Sequence, residues 1–269
     1  MTIQGEDVSD RAQTSLLSAR GLSVSLGGKR LVRNLDVDIT PGQRWCVLGP
    51  NGSGKTTLLS VLAGMRTPDE GDVRLEGRAY SEIEPRIAAR RRALLLQSRR
   101  FAFRMSVRDC VSLGRHPHLG RFGWPGSADR QHVDAGLEIM DLQALADRDV
   151  LELSGGEQQR THLATILVQA PKLFLLDEPT THLDLRHQAA LFMHLRSLCE
   201  REGRAVIFST HELSAAAAFA THAMLLSGEG IVTHGPCETV LEAKLLTTVF
   251  GFPLSAIERP QGRTFVPQW

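Results

Sequence analysis

The sequence predicts an α/β fold with a mainly parallel sheet, an additional antiparallel β subdomain and an inserted α-helical subdomain. The first observation behind this prediction is that apolar runs of strand length recur between turn residues and alternate with stretches of helical spacing. The second is that these runs lack polar alternation, which is typical of strands buried on both faces of a parallel sheet. The runs are RWCVLG (44–49), RALLLQ (92–97), KLFLLD (172–177), AVIFST (205–210) and HAMLLS (222–227).

The antiparallel subdomain is predicted from segments that do alternate. LSVSLG (22–27) and LDVDIT (35–40) place polar and apolar residues in turn, and VRLEG (73–77) resembles them. Such alternation is typical of an antiparallel sheet with one face packed and the other exposed to water. A small antiparallel sheet is therefore expected to pack beside the parallel core.

Helical spacing dominates at about 98–152, where the strand signals stop. Ser106 and Ser127 stand at the start of two such stretches and are candidate helix caps. This pattern predicts an inserted helical subdomain. The last part of the chain, about 235–269, predicts one helix over CETVLEAKLLTTVF and then a loosely patterned tail.

The N-terminal residues 1–15 are predicted to form a flexible tail, and residues 16–269 a single domain. The stretch MTIQGEDVSDRAQTS is polar and carries acids where a signal peptide needs an apolar core. No segment of the sequence approaches the roughly 18 to 20 apolar residues of a membrane helix. We therefore expect neither a secretory leader nor a membrane span.

Charge and cysteine content argue against several classes of protein. Lys and Arg total 31 against 30 for Asp and Glu, a formal net charge of +1. No global field therefore favours nucleic acid or anionic lipid. The four cysteines form no C-x-x-C pair, which argues against a disulfide framework or a zinc knuckle and fits a reducing cytosol.

The first motif with chemistry is GPNGSGKTT (49–57), which follows a predicted strand and precedes a helical stretch. It matches G-x-x-x-x-G-K-[ST] in the context that this motif requires, and so predicts a core of the P-loop NTPase type. The backbone N–H groups of the loop would wrap a phosphate chain, Lys55 would reach the β and γ phosphates, and Thr56 could hold Mg²⁺. The predicted nucleotide-binding residues are Gly49, Pro50, Asn51, Gly52, Ser53, Gly54, Lys55, Thr56 and Thr57.

Two carboxylates end the apolar run KLFLLDEP (172–179). In a chain with a phosphate loop, Asp177 is placed to bind Mg²⁺ through water and Glu178 to polarise the attacking water. Adjacent residues of a strand point in different directions, so the two acids can serve the metal and the water separately.

A second anion site is predicted at LSGGEQQR (153–160), where a serine and two glycines open a helical stretch. The N–H groups and the dipole of a helix N-terminus favour phosphate. This octapeptide resembles the signature of the ABC (ATP-binding cassette) transporter family. Together with the phosphate loop, it makes the chain similar to an ATP-binding subunit of that family over nearly its whole length, from about residue 17.

The resemblance implies that two such ABC ATPase domains pair head to tail. Ser154, Gly155 and Gly156 of one copy would grip the γ-phosphate held by Lys55 of the other copy. The signature residues assigned by the resemblance to contact the nucleotide of the partner copy are Leu153, Ser154, Gly155, Gly156 and Glu157.

Further residues match the family pattern in order. By the resemblance, Gln97 senses metal and water and faces the transmembrane partner, so that the Mg²⁺ set becomes Thr56, Gln97 and Asp177. Asp184 closes the TTHLD loop through which the two subunits touch, and His211 is the switch histidine that contacts the γ-phosphate. The cofactors implied are ATP and Mg²⁺. The catalytic residues implied are Glu178, His211 and Gln97.

One position departs from the family pattern. An aromatic ring usually precedes the glycine in SLGGKR, where it stacks on adenine, and this sequence has Leu26. An apolar leucine can still pack on the face of a base. We expect weaker affinity for ATP or less strict selection of the base.

The insert indicates the kind of transporter. VSLGRHPHLGRFG (111–123) resembles the G-R-x-P-H segment of importer ATPases for ferric siderophores, haem and cobalamin. The resemblance implies an ATP-hydrolysing subunit of a binding-protein-dependent importer, at the cytoplasmic face of the inner or cell membrane. Its partners would be a second copy of itself, transmembrane permease subunits and, indirectly, a substrate-binding protein.

Two other functions are compatible with the cassette motifs. One is a soluble ABC ATPase outside transport, although many of those carry two cassettes or a long coiled coil, which this chain lacks. The other is the ATPase of an exporter or of a lipid-extraction complex, whose cassette chemistry is identical. Nucleic acid is not expected as a partner, because no aromatic stacking platform accompanies the five arginines of ARRRALLLQSRRF (89–101). We interpret these arginines as a solvated rim or a rim that meets the membrane partner.

Overall fold

The structure is a computed structural model that describes residues 15–97, 101–120, 123–259 and 262–268. All but the last residue of the predicted tail therefore lies outside the described residues. The described strands are, in chain order, β1 (Leu17–Leu26), β2 (Lys29–Ile39), β3 (Arg44–Leu48), β4 (Glu70–Leu75), β5 (Arg78–Ala79), β6 (Arg92–Leu95), β7 (Leu173–Leu176), β8 (Ala205–Ser209), β9 (His222–Leu226), β10 (Val232–Pro236), β11 (Leu254–Arg259) and β12 (Gly262–Pro267).

The helices of the described residues are α1 (Lys55–Leu62), α2 (Pro85–Arg91), α3 (Val107–Ser112), α4 (Ser127–Ile139), α5 (Gly155–Val168), α6 (Leu185–Glu202), α7 (Leu213–Phe219), α8 (Cys237–Val240) and α9 (Ala243–Phe250). Short 3₁₀ helices cover Tyr80–Glu82, Leu113–His118, Gln143–Leu145 and Val150–Glu152. None of these described helices is both long and apolar enough to cross a membrane.

The central sheet has the strand order β10-β9-β3-β8-β7-β6. All its strands run parallel except β10, which pairs antiparallel with β9 at the edge. Every residue of β6, β7 and β8 is buried, which explains why these segments read as continuous apolar runs. The predicted parallel core is confirmed.

The predicted antiparallel sheet is also present, with the order β2-β1-β4-β5. Along β2 the side chains of Leu35, Val37 and Ile39 are buried, whereas Asp36 between them is exposed. The buried face shares a core with α1 and one face of the central sheet. The opposite face of the central sheet is covered by helices α3 to α7. The fold class is therefore the one that the sequence predicts.

The helices between β6 and β7 pack closely because glycines stand at two crossings. A Cβ atom on Gly114 would clash with Thr165 O of α5. A Cβ atom on Gly136 of α4 would clash with the side chain of Val168, which also belongs to α5. Any larger residue at either position would push its segment away from α5. This packing fixes α5, the helix that begins with the signature.

One of the two predicted caps is confirmed. The Ser106 side chain accepts a hydrogen bond from Asp109 N at the start of α3. The prediction for Ser127 is wrong, because Ser127 is the first residue of α4 and Gly126 precedes it as the N-cap. Asp129 of the first turn accepts the Gly126 N–H at 3.0 Å, so an acid inside the helix replaces the expected serine cap.

The C-terminal part differs from the expected single helix and loose tail. The helical stretch is divided into α8 and α9 at Leu241. The backbone of Leu241 is not helical, and its side chain is buried. The following residues form the antiparallel hairpin β11-β12. Leu254 and Phe265 anchor the hairpin in the core, but LSAIER and GRTFVP do not alternate strictly, so the sequence interpretation overlooked these two strands.

Two of the three arginines before Gln97 do not belong to a solvated rim. Arg92 is buried, and its guanidinium lies 5.7 Å from the centre of the Tyr80 ring. Arg91 forms an ion pair with Glu76 at 3.1 Å. The rim interpretation is wrong for these two arginines, which hold α2 and β6 to the antiparallel sheet. The last two arginines of the segment lie outside the described residues.

Candidate functional site

The phosphate loop connects β3 to α1 and depends on its glycines. Gly49, Gly52 and Gly54 have φ of 151°, 73° and 103°, in the region that favours glycine. A Cβ atom on Gly54 would also lie 2.8 Å from Leu31 Cβ. The loop can therefore wrap closely only with glycine here, and its backbone N–H groups stay available to an anion.

Lys55 begins α1 and turns its ammonium back over the loop. Its Nζ donates hydrogen bonds to Gly49 O at 2.9 Å and to Pro50 O at 3.3 Å. Only 7% of the residue is exposed. Burial lowers the pKa of Lys55, and the nearby carboxylates of Glu178 and Asp177 oppose that shift. The structure thus places a buried amine at the loop, facing two acids.

Asp177 follows β7 and is held by two hydroxyl groups. Thr56 Oγ1 donates to Asp177 Oδ2 at 2.5 Å, and Ser209 Oγ donates to Asp177 Oδ1 at 2.5 Å. The carboxylate is 1% exposed. The parallel register of β7 with β8 pairs Leu176 with Phe208, which brings Asp177 beside Ser209. The sheet register therefore sets the position of this acid.

Glu178 has a different set of partners, as strand alternation predicts. Gln97 Nε2 donates to its Oε2 at 2.6 Å, and His211 Nδ1 lies 3.5 Å from its Oε1. Its backbone stands at φ 47°, a conformation that costs of order 1–3 kcal/mol in a non-glycine residue and is found mainly at functional sites. The Glu178 N–H donates to Ser209 Oγ at 2.9 Å and so helps to hold it.

These residues meet at an open cleft of about 460 Å³. The cleft is lined by Leu26, Lys29, Leu31, Asn51, Gly52, Gly54, Lys55, Thr56, Thr57, Gln97 and Glu178. The remaining residues of the predicted set stand around it. Ser53 is buried within the loop, Asp177 lies beneath Thr56, and His211 is 60% exposed beside Glu178.

Four residues of LSGGEQQR line a second cavity instead of this cleft, namely Ser154, Gly156, Glu157 and Arg160. Ser154 is the N-cap of α5, and Glu157 Oε2 accepts hydrogen bonds from Ser154 N at 2.7 Å and Ser154 Oγ at 2.8 Å. These bonds lower the pKa of Glu157. Nothing lies within 4 Å of a Cβ position on Gly155. The start of α5 is therefore a preformed and open helix terminus.

Asp184 borders the same second cavity. It is the N-cap of α6, and its Oδ1 accepts hydrogen bonds from His187 N at 2.9 Å and His187 Nδ1 at 2.7 Å. These hydrogen bonds lower the pKa of Asp184. The cavity, of about 240 Å³, is lined by Ser154, Gly156, Glu157, Arg160, His182, Leu183, Asp184 and His187. No residue of this set lines the first cleft, so one chain keeps its two predicted anion sites apart.

Comparison with known proteins decides the family. The sequence profile described as "ABC transporter" matches residues 32–181, from the antiparallel sheet through the phosphate loop and signature to the acids after β7. The chain belongs to the ABC transporter family. The matched range includes the phosphate loop, LSGGEQQR and the two acids after β7.

Curated members of this family are similar to the chain over nearly its whole length. It is 40% identical over 258 residues to the hemin import ATP-binding protein HmuV of Rhodopseudomonas palustris (strain ATCC BAA-98 / CGA009), covering 93% of each chain. It is 37% identical over 251 residues to HmuV of Escherichia coli O157:H7, covering 91% of this chain and 96% of that protein.

Among solved structures, a chain of an ABC transporter assigned to the metal-chelate type, in an inward-facing conformation, is 29% identical. It superposes with a TM-score of 0.80, covering 95% of this chain and 98% of that chain. The two chains therefore share one fold over nearly their whole lengths.

Several residues of the site were missed by the sequence interpretation. Ser209 stands between Asp177 and Glu178, and it could have been found by aligning the ends of neighbouring parallel strands. Lys29 and Leu31 line the cleft from β2, for which no motif gives a signal. The second cavity likewise includes Arg160, His182 and His187, which only the folded chain brings together.

Proposed function

We propose that this chain is the ATP-hydrolysing subunit of a binding-protein-dependent importer for haem or another metal chelate, such as a siderophore or cobalamin. The observation that carries the proposal is that Glu178 stands at the same cleft as Lys55 and Thr56, with Gln97 and His211 at its two carboxylate oxygens. The similarity to the hemin import ATP-binding proteins gives the cargo class.

The triphosphate of ATP would lie on the phosphate loop. The loop N–H groups and the dipole of α1 favour its negative charge, and Lys55 would exchange its two carbonyl partners for phosphate oxygens. The base would rest against Leu26 and Leu31 at the outer end of the cleft. The cleft therefore offers the positive charge of Lys55 to the phosphates and aliphatic side chains to the base.

The oxygen ligands that Mg²⁺ prefers are present beside the phosphate loop. Thr56 offers a hydroxyl, Asp177 a carboxylate and Gln97 an amide oxygen, all hard donors of the kind found in Mg²⁺ sites. These three residues would hold the ion together with phosphate oxygens. When bound, Mg²⁺ would neutralise charge that develops on the phosphates. The short hydrogen bond between Thr56 and Asp177 already brings two of the donors together.

Glu178 would orient the attacking water and accept its proton. A carboxylate with one oxygen toward Gln97 and the other toward His211 is held in a fixed direction, which favours general-base chemistry. Gln97 Nε2 and His211 Nδ1 can both donate hydrogen bonds, so they would also stabilise negative charge on the γ-phosphate and its water. The exposed face of His211 leaves it free to reach the nucleotide.

A second copy of the chain would complete the site. The open N-terminus of α5 is a phosphate site that the same chain does not use, because it lies in a separate cavity. Head-to-tail pairing would place it on the γ-phosphate of the partner, so ATP would favour the closed dimer. The dimer would act on transmembrane permease subunits at the cytoplasmic face of the membrane, and on a substrate-binding protein only through them.

Reconstitution tests this proposal directly. The purified chain should hydrolyse ATP in a Mg²⁺-dependent manner and should co-purify from detergent-solubilised membranes with a polytopic permease. In proteoliposomes that contain this permease and its binding protein, haem or a ferric chelate should enter only with ATP on the side of the chain. ATP hydrolysis without such a permease, or transport in the opposite direction, would remove the importer proposal.

Ser154→Ala should weaken hydrolysis in the dimer without weakening the binding of ATP to the single chain. We expect turnover to fall by about tenfold, because one hydrogen bond to a charged phosphate contributes about 1.5–3 kcal/mol. Turnover and equilibrium nucleotide binding check this. Ser106→Ala is the matched control, since it removes an equivalent N-cap from α3 at a cost of about 0.5–2 kcal/mol. Equal turnover in the two variants would contradict a role for Ser154 in the shared site.

Leu26→Tyr should tighten the binding of ATP. Leu26 is 52% exposed at the rim of the cleft, and an aromatic ring there could stack on the base. Aromatic stacking contributes about 0.5–1.5 kcal/mol beyond area burial, so the dissociation constant should fall roughly 2- to 10-fold. Titration of the wild type and the variant with ATP and with GTP measures both affinity and base selection. Unchanged affinities for both nucleotides would show that residue 26 does not contact the base.

A further inference from the structure

The start of α5 is seated directly on the loop that follows Glu178. Gln159 Nε2, in the second turn of α5, donates a hydrogen bond to Pro179 O at 3.0 Å. A Cβ atom on Gly156 would lie 2.9 Å from His182 O, so helix and loop approach backbone to backbone at this point. Both contacts join the helix of one cavity to the loop that carries the carboxylate of the other.

The Gln159 contact reaches the residue next to Glu178. Pro179 is buried, has no N–H, and has a φ fixed near −65°, so the carbonyl is its one main-chain polar group and the residue absorbs little rotation. Glu178 itself stands at φ 47°. A displacement of α5 that moves Pro179 O cannot be taken up by rotation about φ of Pro179, so it acts on the peptide bond that joins Pro179 to Glu178.

Gln159 lies on the same helix face as the signature glycine. Gly155 and Gln159 are four residues apart, so they stand one above the other on α5. The Ser154 and Glu157 capping box keeps the first turn rigid between them. Because the first turn does not fray, a shift of the start of α5 toward a bound phosphate would also move Gln159.

From these contacts we infer that Gln159 is a positioning residue. It couples the position of the signature in each copy to the orientation of the Glu178 carboxylate in the same chain. The inference rests on the proposed function, because the phosphate that the signature senses belongs to the partner copy. Engagement of Ser154 and its glycines by the partner's ATP would shift α5, and Gln159 would carry that shift to Pro179 and set the direction of Glu178. The two ATP sites of a dimer are then coupled within each chain.

Mixed dimers separate this coupling from the chemistry of each site. One tagged copy carries Glu178→Gln, so it binds ATP without turning it over, and the measured turnover comes from the Glu178 of the other copy. The residues of that working site are wild type even when the working copy itself carries Ser154→Ala, because its own signature acts on the ATP of the Glu178→Gln copy. In dimers that are kept closed at saturating ATP, independent sites therefore predict no effect of Ser154→Ala in the working copy.

Coupling predicts that this Ser154→Ala lowers turnover at the wild-type site by about fivefold or more, the lower end of typical allosteric couplings. Gln159→Met in the working copy retains side-chain length and helix propensity but removes the amide donor. It should lower turnover to a similar extent with little change in the KM for ATP. Adding Ser154→Ala to Gln159→Met should then have no further effect.

Gln188→Met is the matched control. Gln188 Nε2 donates to Leu183 O at 3.0 Å and to Thr180 O at 3.5 Å, so it braces the same loop from α6 instead of from α5. In this background Ser154→Ala should still slow the wild-type site, and the thermal unfolding midpoints of the two Met variants should be alike. Equal turnover with and without Ser154→Ala in the wild-type Gln159 background would overturn the coupling. Failure of the Glu178→Gln dimer to form with ATP would instead overturn the proposed function.

Discussion

Glu178→Gln is expected to reduce ATP turnover by about 10²-fold or more, the contribution of a positioned general base, while the binding of ATP is retained. Glutamine has the shape of glutamate, and its amide oxygen can still accept the hydrogen bond from Gln97. What is lost is the ability to accept the proton of the attacking water. Bound ATP then persists, and a dimer that ATP holds together should accumulate.

Single-turnover hydrolysis and size-exclusion chromatography with ATP measure the two effects. Glu212→Gln is the control, because the substitution removes the same charge from an exposed acid next to His211 in sequence. Glu212 does not line the cleft. It should hydrolyse ATP at nearly the wild-type rate. A Glu178→Gln chain that turned over ATP normally would show that another group activates the water, and a chain that lost ATP binding would assign Glu178 to the nucleotide site instead.

Much of the fold follows from the sequence because buried parallel strands need apolar residues on both faces. This is why RALLLQ and KLFLLD could be predicted as strands of a parallel sheet that are buried on both faces. The same logic failed at the C-terminus. The hairpin β11-β12 buries only part of one face, with Leu254 and Phe265 as anchors, so its pattern was weak enough to be interpreted as a tail.

The site divides in the same way between what a motif specifies and what only packing specifies. The phosphate loop needs glycine at positive φ and a lysine at the first turn, so its residue types are readable in the sequence. Ser209 and Gln159 act through strand register and a helix contact across 20 residues or more. No local pattern marks such partners, and they become visible only once β7, β8 and α5 are placed side by side.

Lys55→Met is expected to abolish the measurable binding of ATP to the single chain, the largest effect on affinity that one substitution in the cleft should have. A hydrogen bond to a charged group contributes about 1.5–3 kcal/mol, and Lys55 can make more than one to the phosphates. Methionine retains the apolar stem, so the packing of this buried side chain is largely preserved. The loss should therefore appear in nucleotide affinity before it appears in the thermal stability of the chain.

Equilibrium titration with a fluorescent ATP analogue measures this loss, and Lys29→Met supplies the control. Lys29 lines the same cleft and carries the same charge, but it stands with Leu26 at the rim, away from the loop carbonyls that Lys55 contacts. If general attraction between a cationic cleft and ATP governed affinity, the two variants would weaken binding equally. The loop N–H groups, the dipole of α1 and the buried amine of Lys55 act on the same phosphates, so only Lys55→Met should remove binding. Lys29→Met should change affinity by less than about tenfold, as expected for an exposed charge.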